Sequence, residues 1–153
     1  MAEVVVIMDR LTKEERSKLM GKIKSKNTKI EKAVYEPLIE LGFEYQAVDL
    51  FGKPDYVHRE RRLIVFIDGC FFHACPEHCK MPITNFPFWF NKFIRNTERD
   101  LEVNTKLMVD GWMVIRIWGH SIKKDVGQVL AYIEETLKAR EYIDNRVVRL
   151  VYV

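Results

Sequence analysis

The chain has 153 residues, 48% of them hydrophobic and 31% charged, with a formal net charge of +3. These values fit one globular domain over residues 1–153 with room for a real core, and exclude a disordered or disulfide-built chain. A membrane protein is excluded as well, because the apolar Val4–Met8 is too short for a span or a signal-peptide core and follows acidic Glu3.

Thr12 followed by Glu15 has the form of a capping box and predicts a helix from about Lys13 to Ile23 or Lys24. Asn27 or Thr28 caps a second helix, along which Ile30, Val34, Leu38 and Leu41 recur at helical spacing until Gly42 ends it. Phe43–Val48 alternates weakly, as a strand does. Pro54–Val57 leads through the charged stretch His58–Arg62 into apolar Leu63–Ile67, the pattern of a hairpin whose second strand is the more buried. Phe86 opens a helix that runs to about Asp110 and is broken by Gly111. Trp112–Trp118 reads as a strand, Ile122–Arg140 as one helix and Val147–Val153 as a final strand. The order predicts an α/β fold, a mixed β-sheet flanked by helices.

All three cysteines lie between Asp68 and Cys79, together with two of the four histidines. An odd cysteine count clustered beside histidines points to reduced, metal-bound thiols in the cytoplasm. Cys70, Cys75 and His78, with the distant His120, complete a tetrahedral set for a structural Zn²⁺, and Cys79 is the alternative to His78. Asp55 starts one hairpin strand, Asp68 ends its partner, and Glu31 lies on the preceding helix. Carboxylates at a sheet end make a hard oxygen site suited to Mg²⁺. His73 reads equally as a zinc ligand or as a general base aimed at that site.

Aromatic residues crowd the same region, with Phe71 and Phe72 in the loop and Trp89 just beyond. Apolar side chains of this kind can wedge between base steps of DNA. The Lys- and Arg-rich stretch from Arg10 to Lys32, with Arg59, Arg61 and Arg62, supplies charge for phosphates.

Taken together, these residues resemble the very-short-patch repair (Vsr-type) DNA mismatch endonucleases of the restriction-endonuclease-like PD-(D/E)XK superfamily. The resemblance runs from about Arg10 to Lys138. It is carried by Arg16–Met20, Asn27–Glu31, Gly52-Lys-Pro-Asp55, Phe66–His73, Phe88-Trp89, Asn96–Asp100, Gly111-Trp112 and Trp118-Gly-His120.

The resemblance implies a restriction-endonuclease-like sheet with a structural zinc loop, and a Mg²⁺-dependent nick beside a T:G mismatch left by deaminated 5-methylcytosine. Asp55 and the main-chain carbonyl of Ile67 are then the Mg²⁺ ligands, His73 the general base, and Glu31 and Asp100 further acidic residues of the catalytic site. Phe71, Phe72 and Trp89 are the DNA wedge. Residues 1–27 form a basic arm and helix on the DNA, through Arg16, Lys22, Lys24 and Lys26, and residues 28–140 the catalytic core. Double-stranded mismatched DNA is the expected partner of a cytoplasmic, nucleoid-associated monomer, with a cytosine methyltransferase or repair proteins as functional associates. The family often carries Phe-Trp where this chain has Phe71-Phe72, and its residue at position 68 varies between acidic and histidine. Two rival readings are a related nuclease with another mismatch, deaminated-base or site specificity, and a zinc-stabilised DNA-binding module without catalysis.

Overall fold

A computed structural model describes residues 11–23, 28–142 and 149–153. In chain order the elements are α1 (Lys13–Gly21), α2 (Lys29–Glu40), β1 (Glu44–Tyr45), β2 (Tyr56–His58), β3 (Leu63–Asp68), α3 (Phe86–Val109), β4 (Met113–Trp118), α4 (Gly119–Lys124), α5 (Val126–Tyr142) and β5 (Leu150–Tyr152). The strands form one sheet in the order β1-β2-β3-β4-β5. The first three are antiparallel; β4 and β5 add on in parallel.

Strand alternation sorts the side chains onto two faces. Leu63 and Val65 of β3, with Met113, Ile115 and Ile117 of β4, join a core with Val34 and Leu38 of α2 and Val129 and Ile133 of α5. Ile64, Phe66 and Val114 point the other way and pack on Val103 and Leu107 of α3. The same parity puts Asp68 and Arg116 on the α3 face. Charged groups are thereby delivered to the layer between sheet and helix.

Local chemistry sets most element ends where the sequence placed them. Thr12 makes the full capping box with Glu15, and Thr28 caps α2 through the Glu31 amide. Gly42 and Gly111 sit at φ of 90° and 85°, backbone that L side chains rarely adopt, just after α2 and α3.

Several expectations change. The helix expected over Ile122–Arg140 is two helices, because Asp125 is extended (φ −158°) and its Oδ1 accepts the Gln128 amide at 2.9 Å, starting α5 afresh. β1 stops at Tyr45 rather than Val48, since Gln46 turns to φ 55°. α1 closes at Gly21, short of the expected Ile23 or Lys24. Of the last strand, Leu150–Tyr152 is formed, while Val147 and Val148 lie outside the described residues, as does Asn27. Among the described residues no helix is long and apolar enough to cross a membrane.

Candidate active site

Asp55 directly precedes β2, where Tyr56 pairs with Val65 of β3. This register brings its carboxylate to the far end of β3, where Oδ2 accepts the Ile67 amide at 2.8 Å. Among the described residues Oδ1 has no protein donor. Withdrawal from water raises the Asp55 pKa to about 6. The Ile67 hydrogen bond opposes that rise, and the charges of Glu31 and Asp68 add to it.

Glu31 occupies the first turn of α2 and is buried. Its Oε2 accepts the Tyr45 hydroxyl at 2.7 Å and its Oε1 the Thr28 hydroxyl at 3.1 Å. Burial, followed by the bond to Glu31, pushes the Tyr45 pKa up to about 12, so this phenol keeps its proton and donates.

Across the cleft, His73 Nδ1 lies 2.6 Å from Asp100 Oδ2 on α3, and 3.6 Å from Asp68 Oδ1. Burial alone would raise Asp100, but the His73 hydrogen bond and the Arg116 charge hold it below the usual carboxylate range. Asp68 is buried and raised by that burial, although Arg116 and His73 pull against it. Both Asp68 oxygens accept from Arg116 Nη1, at 2.9 and 3.2 Å. Asp68 is therefore ion-paired with Arg116 through both of its oxygens. The reading of the sequence did not single out Arg116. The available signal was one arginine in an otherwise apolar strand.

Asp55, Glu31, Asp68, His73, Asp100 and Arg116 line one cleft of about 670 Å³. Its far wall is the loop after β1, pinned at Gly52 (φ 77°), where a Cβ would come within 2.4 Å of Val103 Cγ1. For a hard divalent cation the donor set is suitable: the free Asp55 oxygen, Glu31 nearby, and the Ile67 carbonyl beside the amide that holds Asp55.

Cys70, Cys75, His78 and His120 place one ligand atom each within 4.8 Å of one another. The sulfur-to-Nδ1 distances are 3.3 Å (Cys70–His120), 3.6 Å (Cys75–His120) and 3.7 Å (Cys75–His78). With Zn–S near 2.3 Å and Zn–N near 2.0–2.1 Å, a tetrahedron has S···N edges of about 3.6 Å, so the cluster fits zinc. Cys79 stands outside it, its sulfur 3.6 Å from the Phe71 carbonyl. His73 is also outside, turned towards Asp100. His120 arrives because α4 starts directly after β4.

The expected wedge residues differ in exposure. Phe71 and Phe72 are half-buried and meet edge to face. Trp89 is only 6% exposed and packs with Phe93 against Phe71, so its ring supports Phe71 from below. Lys92 Nζ lies 5.5 Å from the Phe72 ring centroid and 5.4 Å from that of Trp89. Lys92 also lines a groove with Lys13 and Arg16 of α1. Lys22 is exposed just past α1, whereas Lys24 and Lys26 lie outside the described residues.

Residues 8–80 match the family model described as DNA mismatch endonuclease Vsr. The chain is 39% identical over 134 residues to the type II nicking enzyme V.NaeI of Lentzea aerocolonigenes, covering 83% of this chain and 79% of that one. It is 42% identical over 122 residues to the type II nicking enzyme V.NmeDIP of Neisseria meningitidis serogroup C, covering 77% and 82%. With the DNA mismatch endonuclease Vsr of Escherichia coli (strain K12) it shares 39% identity over 111 residues, covering 69% and 70%. Sheet, cleft and relatives together define a DNA endonuclease of mixed α/β architecture. The chain belongs to the Vsr family.

Proposed function

We propose that this endonuclease nicks one strand of duplex DNA beside a T:G mismatch, in the repair of deaminated 5-methylcytosine, with Mg²⁺ at the cleft and structural Zn²⁺ at the Cys70, Cys75, His78 and His120 cluster. The observation that carries it is one cleft holding a carboxylate with a free oxygen, Asp55, and a histidine, His73, bound through Nδ1 to Asp100.

Asp55 and the Ile67 carbonyl would hold the Mg²⁺, with Glu31 close by. When bound, the cation supplies Lewis acidity at the scissile phosphate and lowers the pKa of its water. His73 takes the proton of the attacking water on Nε2, since Nδ1 is occupied by Asp100. Asp100 stabilises the imidazolium that forms. Phe72 and Phe71, supported by Trp89, enter the duplex at the mismatch, where opening a base step costs least. Arg16 and Lys22, with Lys24 and Lys26 of the arm over residues 1–27, hold phosphates. The enzyme acts as a single-domain monomer in the cytoplasm, at the nucleoid.

The test is an end-labelled duplex with one T:G mismatch incubated with Mg²⁺, beside matched and U:G duplexes and the Asp55→Ala and His73→Ala proteins. A single Mg²⁺-dependent nick at the mismatched thymine, absent in both variants, is expected. Equal cutting of the matched duplex would replace the substrate. Full activity of Asp55→Ala would remove the site.

A further inference from the structure

Arg116 is 2% exposed on a strand whose other buried members are apolar. Register pairs it with Phe66, whose ring lies 4.6 Å from its guanidinium carbon. Its donors are divided among three partners. Nη1 serves both oxygens of Asp68, Nη2 donates to Asp100 Oδ1 at 3.2 Å, and Nε donates to Asn104 Oδ1 at 3.0 Å. One planar fork thus ties the end of β3 to two successive turns of α3.

The division of labour at Asp100 has a chemical consequence. Arg116 holds Oδ1, and Oδ2 is left facing His73 Nδ1 at 2.6 Å. An ionised carboxylate only accepts, so His73 must donate Nδ1–H there and carry its lone pair on Nε2. Asp68 is a rival acceptor for the same Nδ1–H, 3.6 Å away. At that separation Asp68 makes no hydrogen bond to His73, and Arg116 holds it there through both of its oxygens.

We infer that Arg116 is the positioning residue of the site: by fixing Asp68 and Asp100 with one guanidinium, it holds His73 as the Nδ1–H tautomer and leaves Nε2 to accept a proton. This rests on the reading of His73 as general base. A lysine keeps the charge but not the fork, and so serves two carboxylates and an amide poorly.

The experiment reads the tautomer directly, by long-range ¹H–¹⁵N correlation of the zinc-loaded protein near neutral pH. His73 is assigned by its loss in His73→Ala, among four histidines in the chain. The wild type should show one Nδ1–H tautomer. The informative variant is Asp68→Asn with Arg116→Met, which removes cation and anion together and so leaves no unpaired Asp68 charge. In that protein the Nδ1–H signature should be lost or averaged, with zinc content unchanged. Its kcat for nicking should fall by about 10²-fold while KM for DNA stays within about twofold. Arg116→Lys should fall between the two, and it supplies the same readout if the double variant does not fold. An unaltered tautomer in the readable variant, with wild-type kcat, overturns the inference and leaves Arg116 as a neutraliser of Asp68. A changed tautomer with wild-type kcat leaves the positioning role standing and removes His73 as the base.

Discussion

The Ile67 amide donates to Asp55 Oδ2 at 2.8 Å, which fixes a carboxylate at the end of β3 with no ion-pair partner among the described residues. The hydrogen bond is too weak to offset burial, so Asp55 enters the cleft with its pKa raised to about 6. Below about pH 6 a cation bound there must displace that proton.

In Mg²⁺-free buffer the folded protein should lose stability as Asp55 ionises. Between the ordinary Asp value of 3.8 and about 6, the folded protein binds the Asp55 proton more tightly than the unfolded chain does. The sign is that of a raised acid: no penalty below about pH 4, and a growing one as pH rises through 6, reaching about 3 kcal/mol. Asp55→Asn keeps an oxygen for the Ile67 amide and removes the penalty. Its advantage over wild type in urea unfolding should grow by on the order of 1 kcal/mol between about pH 5 and pH 7.5. A constant difference would mean that Asp55 titrates like an exposed acid.

Mg²⁺ binding should follow the same proton. Apparent affinity of the DNA-free enzyme should rise about tenfold per pH unit below 6 and level off above it. Calorimetric titration of Mg²⁺ at several pH values would show this. A flat profile would place the cation away from Asp55.

At the Cys/His cluster, Cys70→Ser should lose zinc and about 3 kcal/mol or more of stability, lowering Tm by roughly 10 °C. Cys79→Ser should keep full zinc content, because its sulfur faces the Phe71 carbonyl instead of the other ligands. Metal analysis of both purified proteins decides it, and zinc loss in the Cys79 variant would exchange it for His78.

Neighbouring phenylalanines should fail differently. Phe71→Ala removes a ring held by Trp89 and Phe93 and should cost about 3 kcal/mol of folding stability. Phe72→Ala should spare stability but weaken mismatched-DNA binding by about 1–3 kcal/mol, the usual worth of a stacked base. Chemical unfolding and a fluorescence binding titration, run on both variants, separate the two effects.

Gly52→Ala should close the cleft wall badly, since a Cβ there meets Val103 at 2.4 Å on a backbone at φ 77°. The left-handed conformation costs about 1–2 kcal/mol, and the clash adds to it. Val103→Ala on top should recover the clash and not the backbone strain. No recovery of nicking or of Tm in the double variant would show that the loop is not seated on α3.

Most features that depended on neighbours in the chain were legible in advance. Thr12 and Thr28 cap from a few residues away, Leu63–Ile67 is apolar enough to be central, and Cys70, Cys75 and His78 share one short loop. The family motifs pointed to Asp55 as a metal ligand and His73 as general base, and both side chains line one cleft. The break at Asp125 was also local; its capping side chain was the signal, and the apolar spacing on either side masked it.

What the chain order could not disclose were choices between equivalent atoms and meetings between distant ones. His78 and Cys79 are adjacent and chemically alike as ligands, and only the turn of the loop sends one sulfur to the Phe71 carbonyl. Trp89 has the same composition signal whether exposed or buried, and the packing of α3 under the loop buried it. Arg116 meets Asp68 because β3 and β4 are parallel neighbours in fixed register, 48 residues apart in sequence. Residue types and short spacings determined which chemistry this protein carries. The sheet register and the seating of α3 decided which groups touch, because those contacts are set by long-range packing that no local window contains.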